Sequence, residues 1–424
     1  MLVFKFGGAS VKDAGGIVNL AEVVKNYSAY QLLIVVSAMG KTTNALENLT
    51  KAYVNGSEEL QGIFEDIKTY HYTIIEKLFE PYHPVFNDVA NTFVEIEWLI
   101  EDAPHEDYDF VYDQIVSVGE LVSTRIVNAY LNKEGFKSQW IDVRGYIHTD
   151  NTYREGAVQW AKTRESINTG IPGLLQKGVV VTQGFLGGTS ENFTTTLGRE
   201  GSDYTASIFA ACLGAESVTT WKDVPGILNA DPKYFEDTVK FDELSYSEAI
   251  EMTYYGASVI HPKTIKPLQN AKIPLFVKSF TDPHAPGTLI HENSDNKYIK
   301  PVIILKQNQV LLSLSAKDYS FISEDHLSNI FKMFAQNHIK VNMMQTSALS
   351  FSVCFDLNED RFKRLLHDLS TDFKAKYNNN LRLITVRHYL QSSLKELTAG
   401  KTILLEQLSR NTVQMVVKDN FLIL

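Results

Sequence analysis

Leu2-Val3-Phe4-Lys5-Phe6-Gly7-Gly8-Ala9-Ser10 opens the chain with a short apolar run, a lysine and a pair of glycines. The run predicts a buried strand, and the glycines let the backbone turn tightly and come close to a ligand. Lys5 then stands at the strand's end, beside whatever the glycines cradle. Backbone N–H donors, no side chains in the way and one mobile cation suit a phosphate group. By itself such a stretch is usually a plain turn with a solvated lysine. It is not a P-loop, which needs Lys-Ser/Thr after the glycines, nor a three-glycine dinucleotide fingerprint.

Outward from that stretch, Ile17 to Val24 has helical periodicity and Gln31 to Val36 is a β-branched strand. Strand, helix, strand at this spacing begins a mostly parallel sheet. The second strand ends in Ser37-Ala38-Met39-Gly40-Lys41-Thr42-Thr43-Asn44, leading into a helix from about Ala45. Ser37 and Thr43, taken singly, are ordinary helix caps. Residues 58–101 read as long helices broken near Pro81 and Pro84, an insertion of the kind that covers a site.

Tyr112 to Leu131 reads as one helix, apolar on most faces, with Gly119 and Glu120 in its middle. Glycine there costs about 1 kcal/mol relative to alanine, which close approach of another group would explain. A buried carboxylate needs a cation or several donors. An internal arginine such as Arg125 and the ammonium of a ligand are equal candidates.

Strands follow at Gln139–Asp142 and Gly178–Thr182, the second a valine run typical of a central parallel strand. Gly184-Phe185-Leu186-Gly187-Gly188 turns the chain at that strand's carboxyl end, the edge where open α/β sheets bind ligands. In Leu197-Gly198-Arg199-Glu200-Gly201-Ser202-Asp203, Ser202 or Asp203 is expected to cap the next helix. Arg199, between two glycines beside a helix amino terminus, makes a site for a carboxylate or phosphate. A strand at Ser217–Trp221 runs into Lys222-Asp223-Val224-Pro225-Gly226-Ile227-Leu228-Asn229-Ala230-Asp231-Pro232-Lys233, a loop placed to hold a nucleotide. Helices at Ser247–Tyr255 and Pro262–Gln269 and a strand at Pro274–Ser279 close this part.

At 424 residues the chain needs two or three domains, and its composition is that of a soluble globular protein. A net charge of −10 without a basic tract argues against a nucleic-acid surface, and no apolar run is long enough to span a membrane. The first strand begins at once, so no signal peptide is expected. Cys212 and Cys354 fall in different predicted domains, which makes a disulfide unlikely to form and a cytoplasmic location the expectation. After Pro286-Gly287 the character changes. Val341–Asp356 aligns without gaps on Ile403–Lys418, each hairpin following a strand and a helix. Two small α+β modules follow, suited to a sensor or a dimer interface rather than to catalysis.

These residues together resemble aspartate kinase, in the amino-acid kinase superfamily. Lys5-Phe6-Gly7-Gly8-Ala9-Ser10-Val11 is similar to that family's first motif, with alanine for threonine. Ser37 with Thr43-Asn44, Val118-Gly119-Glu120, Gly198-Arg199-Glu200-Gly201-Ser202-Asp203, Trp221-Lys222-Asp223-Val224-Pro225-Gly226 with Asp231-Pro232-Lys233, and Tyr255-Gly256-Ala257-Ser258-Val259-Ile260-His261-Pro262 match the others in order. The resemblance implies an α/β catalytic domain over 1–290, its mostly parallel sheet covered by helices, with the helical insertion at about 58–110. Tandem ferredoxin-like ACT modules fill 301–424, as units of about 310–377 and 381–424, with strand 302–306 completing the second. It implies a single-function enzyme that moves the γ-phosphoryl of ATP, carried with Mg²⁺, to the side-chain carboxylate of L-aspartate, giving 4-phospho-L-aspartate.

The resemblance also implies the roles. Lys5 with the N–H groups of Gly7 and Gly8 would stabilise the phosphoryl group, and Asp203 would orient Lys5. Arg199 and Ser202 would hold a carboxylate of aspartate and Glu120 its ammonium, with Ser37 and Thr43 completing the pocket. Lys222, Asp223, Leu228, Lys233 and Ser258 would line the nucleotide site, and no resident metal ligands are expected. The family usually has lysine at Ser258, so Lys263 is the expected substitute. Regulation by an amino acid such as lysine or threonine would act through Asn342 and Ser347. Asn342 and Ala348 stand where lysine-inhibited relatives carry acidic residues. A homodimer or larger assembly through the ACT modules is expected. The rival readings are a kinase of glutamate or N-acetylglutamate and a catalytically weakened amino-acid sensor.

Overall fold

The computed structural model describes residues 1–257, 260–292, 300–318 and 320–419. They form two compact units. One comprises Met1–Ile227, Lys240–Ile250 and Val259–Ser294, the other Leu228–Val239, Glu251–Ser258 and Asp295–Leu424.

In the first unit, β1 (Leu2–Phe6), α1 (Ala14–Lys25) and β2 (Leu32–Val36) make the expected βαβ start, with the Asp13 carboxylate capping α1 through Gly16 N–H. α2 (Thr42–Val54) begins three residues earlier than its apolar pattern suggests. The insertion is a pair of helices, α3 (Leu60–Leu78) and α4 (Val85–Glu101), separated by the segment holding Pro81 and Pro84. The single helix expected over Tyr112–Leu131 is two, α5 (Tyr108–Val116) and α6 (Val118–Lys133), divided at Ser117. The Ser117 hydroxyl donates to the Gln114 carbonyl, competing with the helical ladder as serine does inside helices.

Next come β3 (Ser138–Ile141), α7 (Trp160–Leu175) and β4 (Val179–Gln183), then the short antiparallel arm β5 (Leu186–Gly188) and β6 (Thr194–Thr196). α8 (Gly201–Leu213) leads to β7 (Ser217–Lys222). β8 (Glu243–Ser245), α9 (Tyr246–Tyr255), α10 (Pro262–Ala271), β9 (Leu275–Ser279) and β10 (Thr288–His291) follow. The eight-stranded sheet has the order β3-β4-β2-β1-β7-β9-β10-β8, with only the β9–β10 pair antiparallel.

β1 lies inside this sheet, buried at every residue between β2 and β7. Its alternation decides the site. Phe4 and Phe6 face an aromatic cluster, with Phe6 stacked on Trp221 at 6.1 Å between centroids and Phe4 edge-on to Tyr27 at 4.8 Å. Lys5, one residue out of phase, is turned to the opposite face, which α8 covers.

The second unit is built on an antiparallel sheet of order β12-β13-β11-β14-β16-β15. Its strands are β11 (Val302–Ala316), β12 (Val341–Thr346), β13 (Phe351–Asp356), β14 (Phe373–Arg387), β15 (Lys401–Leu408) and β16 (Thr412–Asp419). α11 (Glu324–Gln336), α12 (Glu359–Leu369) and α13 (Gln391–Thr398) complete it. The two central strands are long: Val302–Lys306 pairs with Leu383–Arg387, and Leu311–Ala316 with Phe373–Asn378. α12 lies outside the sequence reading, although Phe362, Leu365 and Leu369 form one buried stripe and Asn358 caps its first turn. Cys212 and Cys354 are both buried free thiols. Among the described residues no helix is long and apolar enough to cross a membrane.

Candidate active site

The carboxyl ends of β1, β2, β4 and β7 converge with the first turns of α6 and α8. The Lys5 ammonium lies 3.1 Å from Asp203 Oδ1, and both side chains are more than nine-tenths buried. Thr220, beside Lys5 on β7, donates its hydroxyl to the same Asp203 oxygen at 3.4 Å. Burial alone would push the Asp203 carboxyl up, but Lys5 and Lys222 outweigh it and hold it below the usual range.

Gly7 and Gly8 carry the chain from β1 across the end of β2. A Cβ on Gly8 would lie 2.6 Å from the Ala38 carbonyl oxygen and 3.1 Å from that of Gly40, and the Gly40 N–H donates to the Gly8 carbonyl at 2.9 Å. Only glycine permits two strand ends to approach so closely. On Gly7 the one atom a Cβ would meet is Lys5 Nζ, 3.6 Å away, so the glycine surface opens towards the ammonium. That bare backbone beside a cation fits a phosphate.

Gly119 explains itself in the same way. A Cβ there would come within 3.0–3.2 Å of Leu46, Thr42 and Ala38, so α6 is packed directly on the loop after β2. This brings in Glu120, whose Oε1 accepts the Ala38 N–H at 3.3 Å while Oε2 is buried without a hydrogen-bond partner. Burial pushes its carboxyl up to about 8, against the pull of the Ala38 N–H and of Lys5. Arg125 is not its partner, because that guanidinium stacks on Trp140 at 4.1 Å. Ser123, one turn on, donates to the Ser37 carbonyl at 2.7 Å, tying Ser37 to α6, and Thr43 is half-buried on α2.

Neither Ser202 nor Asp203 caps α8. The N-cap is Glu200, in left-handed conformation at φ 54°, and its carboxylate accepts the His261 N–H at 2.7 Å. Both predicted caps lie inside the first turn, buried, where Ser202 packs so tightly that a Cβ on Gly184 would lie 2.4 Å from its own. Glu200 makes no side-chain capping hydrogen bond to α8, and Asp203 pairs with Lys5. Arg199 is exposed and has no ion-pair partner among the described residues.

Lys222 ends β7 half-buried and Asp223 is exposed beyond it. Leu228 and Lys233 fall in Leu228–Val239 of the second unit, where Asn229 accepts the Ile303 N–H at 2.7 Å. Ser258 lies outside the described residues. Lys263 is exposed on the first turn of α10. In the second unit Asn342 is half-buried on β12, and the Ser347 hydroxyl is taken up within its own hairpin turn by Ser350. No cluster of three metal-binding side chains occurs among the described residues.

Thr220 and Asp113 escape the sequence reading, and Ala38 and Phe185 enter it only as parts of loops. Phe185 has φ 71° and packs against Gly201 at the start of α8, so the Gly184-Phe185 pair after a valine run was the available signal for it.

Residues 1–279 match the amino acid kinase family. The chain is 34% identical to lysine-sensitive aspartokinase 3 of Escherichia coli over 84% of this chain and 78% of that protein. It is 33% identical to chloroplastic aspartokinase 2 of Arabidopsis thaliana over 84% of this chain and 66% of that one. The structure superposes on E. coli aspartokinase III in complex with aspartate and ADP with a TM-score of 0.84 at 29% identity, covering 99% of this chain and 96% of the other. The same enzyme in complex with lysine and aspartate gives 0.82 over the same shares.

Proposed function

The chain belongs to the amino acid kinase family and, within it, to the aspartokinases; from that premise we propose how its residues phosphorylate the side-chain carboxylate of L-aspartate with MgATP. The observation that carries this reading is Glu120. One of its oxygens is tied to the Ala38 N–H and the other is buried without a partner, close enough to Lys5 to feel its charge. A substrate ammonium completes the set. Binding it ionises the carboxyl that burial had kept protonated near neutrality.

The acceptor carboxylate is ionised at neutral pH, so the reaction needs no general base. It needs neutralisation of the charge on the transferring phosphoryl and alignment of two anions that repel each other. Lys5 and the N–H groups of Gly7 and Gly8 neutralise the phosphoryl oxygens, and Asp203, steadied by Thr220, holds the ammonium in place. Arg199 and Ser202 take a carboxylate of aspartate at the start of α8, where the helix dipole adds to the attraction. Ser37 and Thr43 close the pocket. Mg²⁺ carried by the nucleotide would offset the charge of its phosphates. Lys222 and Asp223 meet the nucleotide after β7, and Leu228, Lys233 and Ser258 are assigned to it by their motif. The protein works as a cytoplasmic homo-oligomer, paired through its ACT modules and regulated by an amino acid bound near Asn342 and Ser347.

Purified protein with MgATP, hydroxylamine and a panel of amino acids tests this. A hydroxamate from aspartate alone is expected. A hydroxamate from glutamate or N-acetylglutamate instead, or from no acid at all, would overturn the assignment.

A further inference from the structure

Asp113 on α5 is fully buried, yet among the described residues no cation forms an ion pair with it. The nearest guanidinium, that of Arg154, is turned away onto the Tyr112 ring at 4.2 Å and towards Asp109 at 3.4 Å. The Asp113 carboxylate is held instead by three neutral donors. Oδ2 accepts the N–H of Arg154 and the N–H of Thr196, both at 2.8 Å, and Oδ1 accepts the Thr196 hydroxyl at 2.8 Å. Burial accordingly pushes its carboxyl up to about 6. Gln114 beside it grips Thr194 from both ends of its amide, donating to the carbonyl at 2.9 Å and accepting the N–H at 3.1 Å. Two consecutive side chains of α5 thus stand in for a strand along the free edge of β6.

The position gives this a consequence. Thr196 is the last residue of β6, and three residues later comes Arg199. Arg154, at φ 66°, holds the neighbouring segment under the same loop. The Gly156 N–H donates to the Thr196 carbonyl at 2.9 Å, and a Cβ on Gly198 would meet the Glu155 side chain at 3.2 Å and the Arg154 carbonyl at 3.3 Å. In the other direction α5 runs through Ser117 into α6, where Glu120 stands on the first turn. A buried unpaired carboxylate is costly when apolar packing would serve as well.

We propose that Asp113 is a positioning residue for the amino-acid substrate: by joining α5 to the end of β6 it sets the separation of Glu120 from Arg199. The proposal rests on the reading of those two residues as the holders of the substrate ammonium and carboxylate. Asp113 acts on the clamp, whereas the phosphate cradle hangs from β1, to which Asp113 makes no bond.

Asp113→Asn keeps the shape, but its amide nitrogen must face a donor where an oxygen accepted one. Thr196→Val is the milder partner, deleting one hydroxyl bond and leaving the backbone bond in place. Steady-state kinetics of the full chain would give KM for aspartate, KM for ATP and kcat separately, with the melting temperature alongside. Asp113→Asn should raise KM for aspartate by about tenfold or more and Thr196→Val by roughly threefold, with KM for ATP within about twofold of wild type. Asp109→Asn, which breaks only the exposed pair with Arg154, should change nothing. A parallel rise in both KM values, or an unchanged KM for aspartate in an active Thr196→Val, would overturn the proposal alone. A wild-type protein inert towards aspartate would overturn the functional reading, and the clamp with it.

Discussion

Lys5 and Asp203 form an ion pair 3.1 Å long, withdrawn from water, between the middle of the sheet and the first turn of α8. Removing either partner leaves the other charged, buried and uncompensated, which costs roughly 3–5 kcal/mol. Lys5→Met should therefore abolish turnover and also lower stability in denaturant by about that amount. The double variant Lys5→Met/Asp203→Asn should regain most of the stability and none of the activity. Equal instability of single and double variants would show that the pair is not what the buried charges depend on.

The role proposed for Glu120 links substrate binding to pH. Its folded-state carboxyl titrates at about 8, raised from 4.5 by burial. Below that value the free enzyme holds a proton that the substrate ammonium must displace. The kcat/KM for aspartate should rise about tenfold per pH unit between roughly 6.5 and 7.5 and level off above 8, and Glu120→Gln should flatten the profile. A pH-independent kcat/KM in the wild type would remove Glu120 from the ammonium site.

The same shift affects stability, with a fixed sign. A carboxyl whose folded value is raised binds its proton more tightly folded than unfolded. Its contribution is complete below pH 4.5 and is lost as pH climbs through about 8. Glu120→Gln, which cannot ionise, should be more stable than wild type at pH 9 in urea titrations. The advantage should shrink towards pH 5, and an advantage that grew on acidification would contradict the assignment.

How far these residues could be read beforehand depends on whether their reasons are local. Lys5 with its glycines, the Gly119-Glu120 pair and Arg199 between glycines each break a local rule, a cation in a buried strand or a glycine in a helix. Such breaks are visible in sequence. At α8 the local rule is obeyed in appearance only. The N-cap is Glu200, whose carboxylate is held by His261, 61 residues away, and the residues that look like caps lie inside the first turn, Asp203 paired with Lys5. Asp113 and Thr220 broke no rule at all. Their partners lie 83 and 17 residues distant and exist only once the sheet has formed.

Lys263 is assigned the positive charge that Ser258 lacks. It is exposed on the first turn of α10, one residue after the proline that follows His261, whose N–H is held by Glu200 beside Arg199. Lys263→Ala should raise KM for ATP about three- to tenfold and leave KM for aspartate alone. An unchanged KM for ATP would leave the phosphates served by Lys5 and Lys222.

The effector site proposed at Asn342 has an occupant of its own. Lys306 donates from its ammonium to Asn342 Oδ1 at 2.8 Å. The Asn342 amide in turn donates to Gln309 at 2.8 Å and to Asp356 at 3.1 Å, and Gln309 donates to the other Asp356 oxygen at 2.7 Å. A cationic effector reaching Asn342 must displace an ammonium that the chain itself supplies. The stem of Lys306 has little room to withdraw, since a Cβ on Gly256 would lie 2.3 Å from its Cε. Free lysine should consequently bind weakly to the wild-type protein. Lys306→Met, which keeps the stem and removes the charge, should tighten lysine binding about tenfold in calorimetric titrations, the scale of one charge-assisted hydrogen bond. Identical lysine affinity in the two proteins would show that Lys306 does not compete for the site, and that selectivity is set elsewhere on β12.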